Sequence, residues 1–400
     1  MYLKNSMGRI PPARGFWEKL RGESGAYRPY PGVVGTPLEE TALGEANPGN
    51  LRMFSYVPSL LGPNPALVVV LHGCTQTAAG YDRGAGWSTL ANRYGFSLLL
   101  PEQQRTNNPN GCFNWFEPGD TQRGRGEAAS IRQMIEKMVR EKGIDPGRVF
   151  VTGLSAGGAM TSAMLACYPE TFAGGAIIAG LPYGAAQNVQ QAFESMFKCR
   201  SRTAREWGEL VHAAAPRHKG PWPRISVWHG NADKTVIPSN ADEILKQWTE
   251  VHGLTSMPTF QDIVDSYPRQ IWVNEAGEEV IESYTITHMA HGTPLATGKS
   301  DAECGAVGPF LLETGISSSY HIARFFGLTA AGVRQVPKRE VTMPRERRSF
   351  VESAAIDEIE VSTREITNRT PNSRTPSSPR VNIGAVIATA LEAAGLMKRG

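Results

Sequence analysis

The segment Gly153-Leu154-Ser155-Ala156-Gly157 places a serine where it can act as a nucleophile. The apolar run 149–152 leads into it, and the small residues 156–167 follow it. These flanks predict a buried strand, a tight turn and a helix, which together form a nucleophile elbow with its hydroxyl free at the carboxyl edge of a sheet. The alternative is a glycine-rich turn in which Ser155 has no chemical role.

A serine hydroxyl needs an imidazole to take its proton and a carboxylate to orient that imidazole. In α/β-hydrolases the chain order is serine, acid, histidine. Asp233 follows the predicted strand 225–229 and is our candidate acid, because it lies on the same sheet edge as the elbow. The alternative is that Asp233 forms an Asx turn and has no catalytic role. Other carboxylates compete less well, since no comparable strand precedes them: Asp262, Asp265 and Asp301.

Two histidines, His288 and His291, follow the predicted strand 280–286. We choose His291 as the base, because Gly292 allows a sharp exposed turn beside it. His288 is the alternative and lies nearer the strand end. The remaining candidates are excluded: His252 and His321 fall within predicted helices, and His229 precedes the acid in the chain.

The loop after the first buried strand contains His72-Gly73-Cys74-Thr75-Gln76. A tetrahedral intermediate needs two fixed backbone N–H donors. We expect one from Ala156, the residue after the nucleophile, and the other from Cys74. For the His72 side chain we expect a structural role in anchoring the loop rather than general-base chemistry.

The run Phe113-Asn114-Trp115-Phe116 follows a strand at the same sheet edge. We predict that Trp115, with Asn114 beside it, contacts the substrate; the alternative is aromatic packing of a long loop. Cys74 and Cys112 lie in loops that should converge there, which predicts a disulfide between them or two half-buried thiols. A second bridge between Cys199 and Cys304 is a further expectation, and Cys167 is expected in a helix core.

Buried strands and helices alternate along the middle of the chain. This pattern predicts an α/β fold, a doubly wound and mostly parallel sheet with helices on both faces. The predicted strands are 66–71, 96–100 (ended by Pro101), 149–152, 176–179, 225–229 and 280–286. The predicted helices are 87–94, 126–142, 156–167, 241–252 and 317–326.

The domain organisation follows from shifts in composition. Residues 1–48 are proline-rich and predict an irregular arm; 49–336 form the catalytic domain, with a partly helical, lid-like insertion at 183–223. Residues 337–380 have the charged, proline-containing composition of a disordered linker. Apolar residues recur at helical spacing in 381–398, which predicts a short helix at the end of a flexible C-terminal tail.

Composition excludes several classes of protein. The net charge is 41 − 38 = +3, so nothing favours nucleic acid or an anionic membrane as a partner. The most apolar window, 172–186, is shorter than the roughly 20 residues that a bilayer span needs. Five cysteines without paired Cys-x-x-Cys spacing predict neither a disulfide scaffold nor a metal site, and we expect no cofactor.

Five segments together resemble the poly(3-hydroxybutyrate) depolymerase family of esterases, over residues 50–328. They are residues 71–76, 111–116, 153–160, 228–236 and 291–294. The resemblance implies a secreted serine esterase with an α/β-hydrolase fold and with Ser155, Asp233 and His291 as its triad. It also implies a substrate class, short-chain hydroxyalkanoate polyesters or oligomers, with feruloyl and acetyl esters of plant cell-wall sugars among relatives.

Alternatives to hydrolysis remain at this point. The same triad could pass its acyl group to an alcohol, and the fold could serve as an inactive binding module. The tail from residue 337 has one aromatic residue, Phe350, and so no adsorption platform for solid polymer. The first 25 residues carry five basic side chains and no continuous apolar core, hence no visible secretory signal. The family resemblance implies an extracellular protein, whereas the lack of a visible signal leaves the cytoplasm as the alternative.

Overall fold

The computed structural model describes residues 38–44 and 46–329. Ten strands form one sheet in the order β1-β2-β4-β3-β5-β6-β7-β10-β9-β8. The six strands from β4 to β10 in this order run parallel, while β1 and β2 at one side and β9 and β8 at the other are antiparallel. The predicted mostly parallel α/β sheet is confirmed.

The strands are β1 Glu39–Thr41, β2 Arg52–Tyr56, β3 Leu67–Leu71, β4 Ser97–Glu102, β5 Val149–Leu154, β6 Gly174–Ile178, β7 Arg224–Gly230, β8 Phe260–Val264, β9 Tyr267–Val273 and β10 Glu279–Ile286. Strands β11 Thr293–Leu295 and β12 Leu311–Glu313 form a separate parallel pair. The helices are α1 Ala78–Ala85, α2 Trp87–Tyr94, α3 Pro118–Thr121, α4 Gly126–Lys142, α5 Ala156–Cys167, α6 Val189–Lys198, α7 Ala204–Ala214, α8 Ser239–Val251 and α9 Ser318–Phe325.

The central strands are buried on both faces, which is why their sequences are continuous apolar runs. In β3, Leu67, Val69 and Leu71 pack in one core layer, which includes α4. Val68 and Val70 point the other way, into a layer that includes α1, α2 and α9. Alternation of side chains along each strand therefore divides the core into two layers, one on each face of the sheet.

The parallel strands direct four loops to one edge of the sheet. Strand β3 ends before Cys74, β5 before Ser155, β7 before Asp233 and β10 before His291. Carboxyl ends of parallel strands share an edge, so residues that are far apart in sequence become neighbours.

Several details differ from the sequence-based expectations. Residues 39–41, placed in the irregular arm, form strand β1, because they pair with β2. Pro101 does not end β4: the pairing of β4 with β3 stops at Leu99, and the remainder pairs with β2 as far as Glu102. The hairpin of β8 and β9 is an addition that sequence patterning missed, since its exposed edge strand has no buried apolar run.

Helices α6 and α7 lie between β6 and β7, within the predicted insertion at 183–223. The predicted linker 337–380, the predicted helix 381–398 and most of the N-terminal arm lie outside the described residues. No helix within residues 38–329 is long and apolar enough to cross a bilayer.

A buried carboxyl group on β10 makes stability depend on pH. Glu282 is 2% exposed, its Oε1 accepts a hydrogen bond from the Ser226 hydroxyl at 2.7 Å, and Arg269 lies 3.6 Å from its Oε2. Burial raises the pKa of Glu282 to about 7, against 4.5 for an ordinary glutamate. Ionising Glu282 therefore destabilises the folded state. The free energy of unfolding begins to fall as pH rises above the pKa of Glu282 in the unfolded chain, and the fall is complete above its pKa in the folded protein.

We expect Glu282→Gln to gain stability relative to the parent protein as pH rises from 5 to 8. The difference in free energy of unfolding should grow by about 3 kcal/mol over that range. Urea denaturation of both proteins at pH 5 and pH 8 measures it. An equal difference at the two pH values would show that Glu282 ionises in the folded state as easily as in the unfolded one.

Candidate active site

Ser155 is held in a strained turn between β5 and α5, with φ 57° and ψ −116°. Its N–H donates to the Ile178 carbonyl at 2.9 Å, and its own carbonyl accepts from Ala159 to begin the helix. A Cβ on Gly157 would lie 2.3 Å from the Leu71 carbonyl oxygen, and one on Gly153 2.4 Å from Gly157. The two glycines are required because strand, helix and neighbouring strand approach this closely, as in a nucleophile elbow.

Asp233 closes the turn after β7. Its Oδ1 accepts the backbone N–H groups of Thr235 at 2.8 Å and Val236 at 3.0 Å, while Oδ2 accepts from His291 Nδ1 at 2.7 Å. Asp233 thus forms an Asx turn and also pairs with His291, so the two interpretations of its sequence position are compatible. Burial opposes ionisation of Asp233, but hydrogen bonds from His229 and His291 outweigh it and hold the pKa of Asp233 well below its usual range.

His291 is 4% exposed and sits in the loop after β10, with the Phe310 ring edge-on at 6.0 Å. Because its Nδ1 donates to Asp233, its Nε2 is left to accept a proton. Ser155 and His291 line the same pocket, of about 140 Å³. The alternative base, His288, is exposed with φ 62°, its N–H donates to Asn231 Oδ1, and its side chain is absent from the lining of that pocket.

The loop that carries Cys74 is pinned on both sides of that residue. The N–H of Gly73 donates to Gln76 Oε1, that of Thr75 to the Asn110 carbonyl and that of Gln76 to the Gly73 carbonyl. Within residues 38–329, the N–H groups of Cys74 and of Ala156 at the start of α5 have no such acceptor. Cys74 and Ser155 line the same pocket, so these two donors remain for an oxygen bound beside the nucleophile.

His72 anchors this loop, as the sequence suggested. Its Nε2 accepts the Gln103 N–H at 3.1 Å, so its Nδ1 carries the hydrogen and donates to the Gly73 carbonyl at 2.8 Å. Burial lowers the pKa of His72, which keeps this neutral tautomer in place. The ring also packs against Phe113 at 5.0 Å, joining the Cys74 loop to the segment that carries Cys112.

The predicted disulfide between Cys74 and Cys112 is confirmed, with the two Cα atoms 4.2 Å apart. The second predicted bridge is wrong: Cys199 and Cys304 are both free. Cys199 ends α6, whereas Cys304 is buried against Ala85 and Ser317 in the core layer that includes α1, α2 and α9. Cys167 is in the core, as expected, with its thiol donating to the Thr121 carbonyl.

Removing the disulfide should destabilise the protein. Cys112→Ser is expected to lower the free energy of unfolding by about 3–4 kcal/mol, because the bridge closes a 38-residue loop in the unfolded chain. Denaturant unfolding of Cys112→Ser and of the matched control Cys199→Ser measures this, and the control should stay near the parent protein. Equal stability of the two variants would mean that the bridge adds nothing.

Trp115 lies in the lining of the pocket, as predicted, and its ring meets Phe116 edge-on at 5.6 Å. Asn114 does not line the pocket, which corrects the expectation for this residue. Its Oδ1 accepts from Asn108 at 3.0 Å and its Nδ2 donates to Asp120 at 3.2 Å. Both ends of the carboxamide are therefore engaged in holding the loop, and Asn108 and Asn110 are the asparagines that line the pocket.

Glu127 holds the loop that contains Asn114 in place through hydrogen bonds. Its carboxylate accepts hydrogen bonds from Asn114 N–H at 2.9 Å and from Gln103 Nε2, which also donates to the Cys112 carbonyl. Burial and the neighbouring Asp120 raise the pKa of Glu127 to about 8. The group is thus held against the segment between Cys112 and Trp115, and no cationic side chain of the described residues pairs with its oxygens.

Helix α6 supplies a pocket wall that sequence reasoning left unassigned. Val189, Ala192, Phe193 and Met196 line the pocket together with the two cysteines of the disulfide. The helix is fixed to the loop after Asp233, because Ile237 N–H donates to the Met196 carbonyl and Asn240 Nδ2 to that of Ser195. The spacing of these apolar residues along α6 was the available signal, but it does not reveal which surface they face. In the described part of the chain no three His, Cys, Asp or Glu side chains cluster as metal ligands do.

Comparison with known proteins gives a consistent set of similarities. A family model described as esterase PHB depolymerase matches residues 56–261. Poly(3-hydroxyalkanoate) depolymerase C of Paucimonas lemoignei is 48% identical over 282 residues, which cover 70% of this chain and 68% of that protein. Feruloyl esterase B of Neurospora crassa is 35% identical over 297 residues, covering 73% of this chain and 92% of that protein.

An acetylxylan esterase of Coprinopsis cinerea is 33% identical over 277 residues, covering 66% of this chain and 73% of that protein. Among solved structures, the acetyl xylan esterase from Aspergillus awamori superposes with a TM-score of 0.62 at 26% identity, over 73% of this chain and 100% of that one.

Proposed function

Because this chain belongs to the PHB depolymerase family of esterases, we propose that its Ser155, Asp233 and His291 form the catalytic triad of a hydrolase that cleaves short-chain hydroxyalkanoate polyesters or their oligomers. The chain is a serine ester hydrolase, as its relatives are esterases and depolymerases. The observation that carries the triad is the 2.7 Å hydrogen bond between His291 and Asp233 at a pocket shared with Ser155.

The mechanism follows from the hydrogen bonds of the site. Ser155 Oγ attacks the ester carbonyl carbon while His291 Nε2 takes its proton, and ionised Asp233 stabilises the resulting imidazolium through Nδ1. The N–H groups of Cys74 and Ala156 donate to the oxyanion. His291 then returns the proton to the leaving alcohol, and the same steps with water release the acid from the acyl-enzyme. An alcohol in place of water would make the reaction an acyl transfer.

The walls of the pocket support a short, apolar acyl unit. Phe193 and Met196 of α6 line it together with Trp115. Two exposed apolar side chains lie beside these lining residues, one in space and one in the chain. Phe197, 37% exposed, stacks parallel to Phe193 with ring centroids 6.1 Å apart. Val307, 62% exposed, lies shortly before the lining residue Phe310 in the chain. Such apolar surroundings suit a chain of aliphatic ester units, which offers few hydrogen bonds and much apolar surface.

A hydrolysis panel tests the proposed substrate class. We expect hydroxybutyrate oligomers and p-nitrophenyl esters of short acids to be cleaved with a higher kcat/KM than longer p-nitrophenyl esters, feruloyl esters or acetylated xylan. Product analysis with an added alcohol distinguishes hydrolysis from transfer. Faster turnover of feruloyl or acetyl sugar esters would overturn the assigned substrate, and no turnover of any ester would favour a binding module.

We place this activity outside the cytoplasm. The Cys74–Cys112 disulfide supports that location, because structural disulfides form and persist in oxidising compartments. Fractionation of the native host followed by alkylation without reduction is the test. Recovery of the protein in the cytoplasmic fraction with Cys74 and Cys112 alkylated would support the cytoplasmic alternative.

A further inference from the structure

A second histidine touches the acid of the site. His229 is the penultimate residue of β7 and is 3% exposed. Its Nε2 lies 2.8 Å from the Val236 carbonyl oxygen and 3.4 Å from Asp233 Oδ2. A carbonyl oxygen only accepts hydrogen bonds, so Nε2 carries the hydrogen and shares it between these two acceptors.

The other ring nitrogen, Nδ1, is buried and has no hydrogen-bond partner within the described residues. The ring is therefore the neutral tautomer with its hydrogen on Nε2, since a hydrogen on Nδ1 would be a buried donor without an acceptor. Sequence reasoning set His229 aside because it precedes the acid in the chain. The folded turn brings it back onto the carboxylate four residues later.

We propose that His229 is a positioning residue, which holds the Asp233 carboxylate in the orientation that presents Oδ2 to His291. The inference rests on the proposed triad. All sides of the carboxylate are then occupied: Oδ1 by the N–H groups of Thr235 and Val236, and Oδ2 by His291 and His229. A carboxylate with four donors has one favoured rotamer and remains ionised in a buried site.

The role predicts a direction for the pH dependence of the reaction. The titratable groups that face His229 are Asp233 on its own turn, His291 on the loop after β10 and Asp242 on α8. Without the His229 donor, Asp233 Oδ2 carries more negative charge, and this charge stabilises the imidazolium form of His291. The acid limb of kcat/KM, where protonation of His291 stops the reaction, should therefore move to higher pH.

His229→Asn and His229→Gln form a matched pair that differs by one methylene. The glutamine amide nitrogen reaches about as far as Nε2, whereas the asparagine amide ends near Nδ1 and cannot reach Asp233. With a p-nitrophenyl butyrate assay, we expect His229→Asn to lower kcat about tenfold with KM within about twofold and to raise the acid limb by about half a pH unit. His229→Gln should restore most of both quantities.

Thermal melts check that each variant is folded, and His229→Phe, which keeps the ring volume, replaces His229→Asn if that variant does not fold. A folded variant without the donor whose pH profile superimposes on that of the parent protein would overturn the proposal. So would equal losses in the glutamine and asparagine variants. Failure of the triad itself is recognised separately, because Ser155→Ala would then retain activity in the same assay.

Discussion

Ser155→Ala is expected to lower ester hydrolysis by a factor on the order of 10⁴ or more, the loss seen when a triad member is removed. The alanine leaves the pocket, the donors and the Asp233–His291 pair in place but has no oxygen to form the acyl-enzyme. Initial rates with p-nitrophenyl butyrate measure the loss, and a fluorophosphonate probe should label the parent protein but not the variant.

Ser239→Ala is a suitable control, since Ser239 begins helix α8 away from the pocket lining. It should retain parent-like rates and probe labelling. A Ser155→Ala protein that keeps even a few per cent of the parent rate, or is still labelled, would show that another residue is the nucleophile. An unchanged melting temperature of Ser155→Ala would attribute the lost rate to chemistry rather than unfolding.

His291→Ala is expected to cause a loss of similar size, on the order of 10⁴-fold, because the serine then has no base. The matched control is His288→Ala, three residues earlier in the same loop. His288 is exposed and outside the pocket lining, so its removal should change kcat/KM by no more than about twofold. Steady-state kinetics of the two variants make the comparison.

Near-normal turnover of His291→Ala together with a large loss in His288→Ala would reverse the assignment of the base. It would also require the loop after β10 to rearrange, because His291, and not His288, donates to Asp233 Oδ2. The residual rate of His291→Ala should rise with pH, as hydroxide replaces the missing base. A flat pH profile would contradict a role in proton transfer.

Local sequence patterns were sufficient for the parts of the site that strands position directly. Ser155, Asp233 and His291 each follow an apolar run, and parallel strands bring the ends of such runs together whatever the intervening chain does. The Cys74–Cys112 bridge was predictable for the same reason, since both cysteines lie in loops at that edge.

Predictions that depended on how loops pack were less successful. The Cys199–Cys304 bridge failed because Cys304 is buried in the core layer of α1, α2 and α9, whereas Cys199 is half-buried at the end of α6, and a loop's position in sequence does not show where it packs. Asn114 neighbours Trp115 in the chain, yet it points into a polar network with Asn108 and Asp120 rather than into the pocket. Adjacent residues in a loop face different ways, and only their partners decide which.

The sequence by itself determined the class of fold and the placement of Ser155, Asp233 and His291, the residues that we propose as nucleophile, acid and base, at the ends of strands. Each of these predictions depends on a local pattern of apolar runs, glycines and turns. Only the tertiary structure decided what surrounds these residues: the wall from α6, the Cys74 N–H that lacks an acceptor among the described residues, and the contact of His229 with Asp233. These features arise from side chains that meet across long stretches of chain. Their contacts depend on packing and on which hydrogen-bond partners are already taken, which no local pattern records.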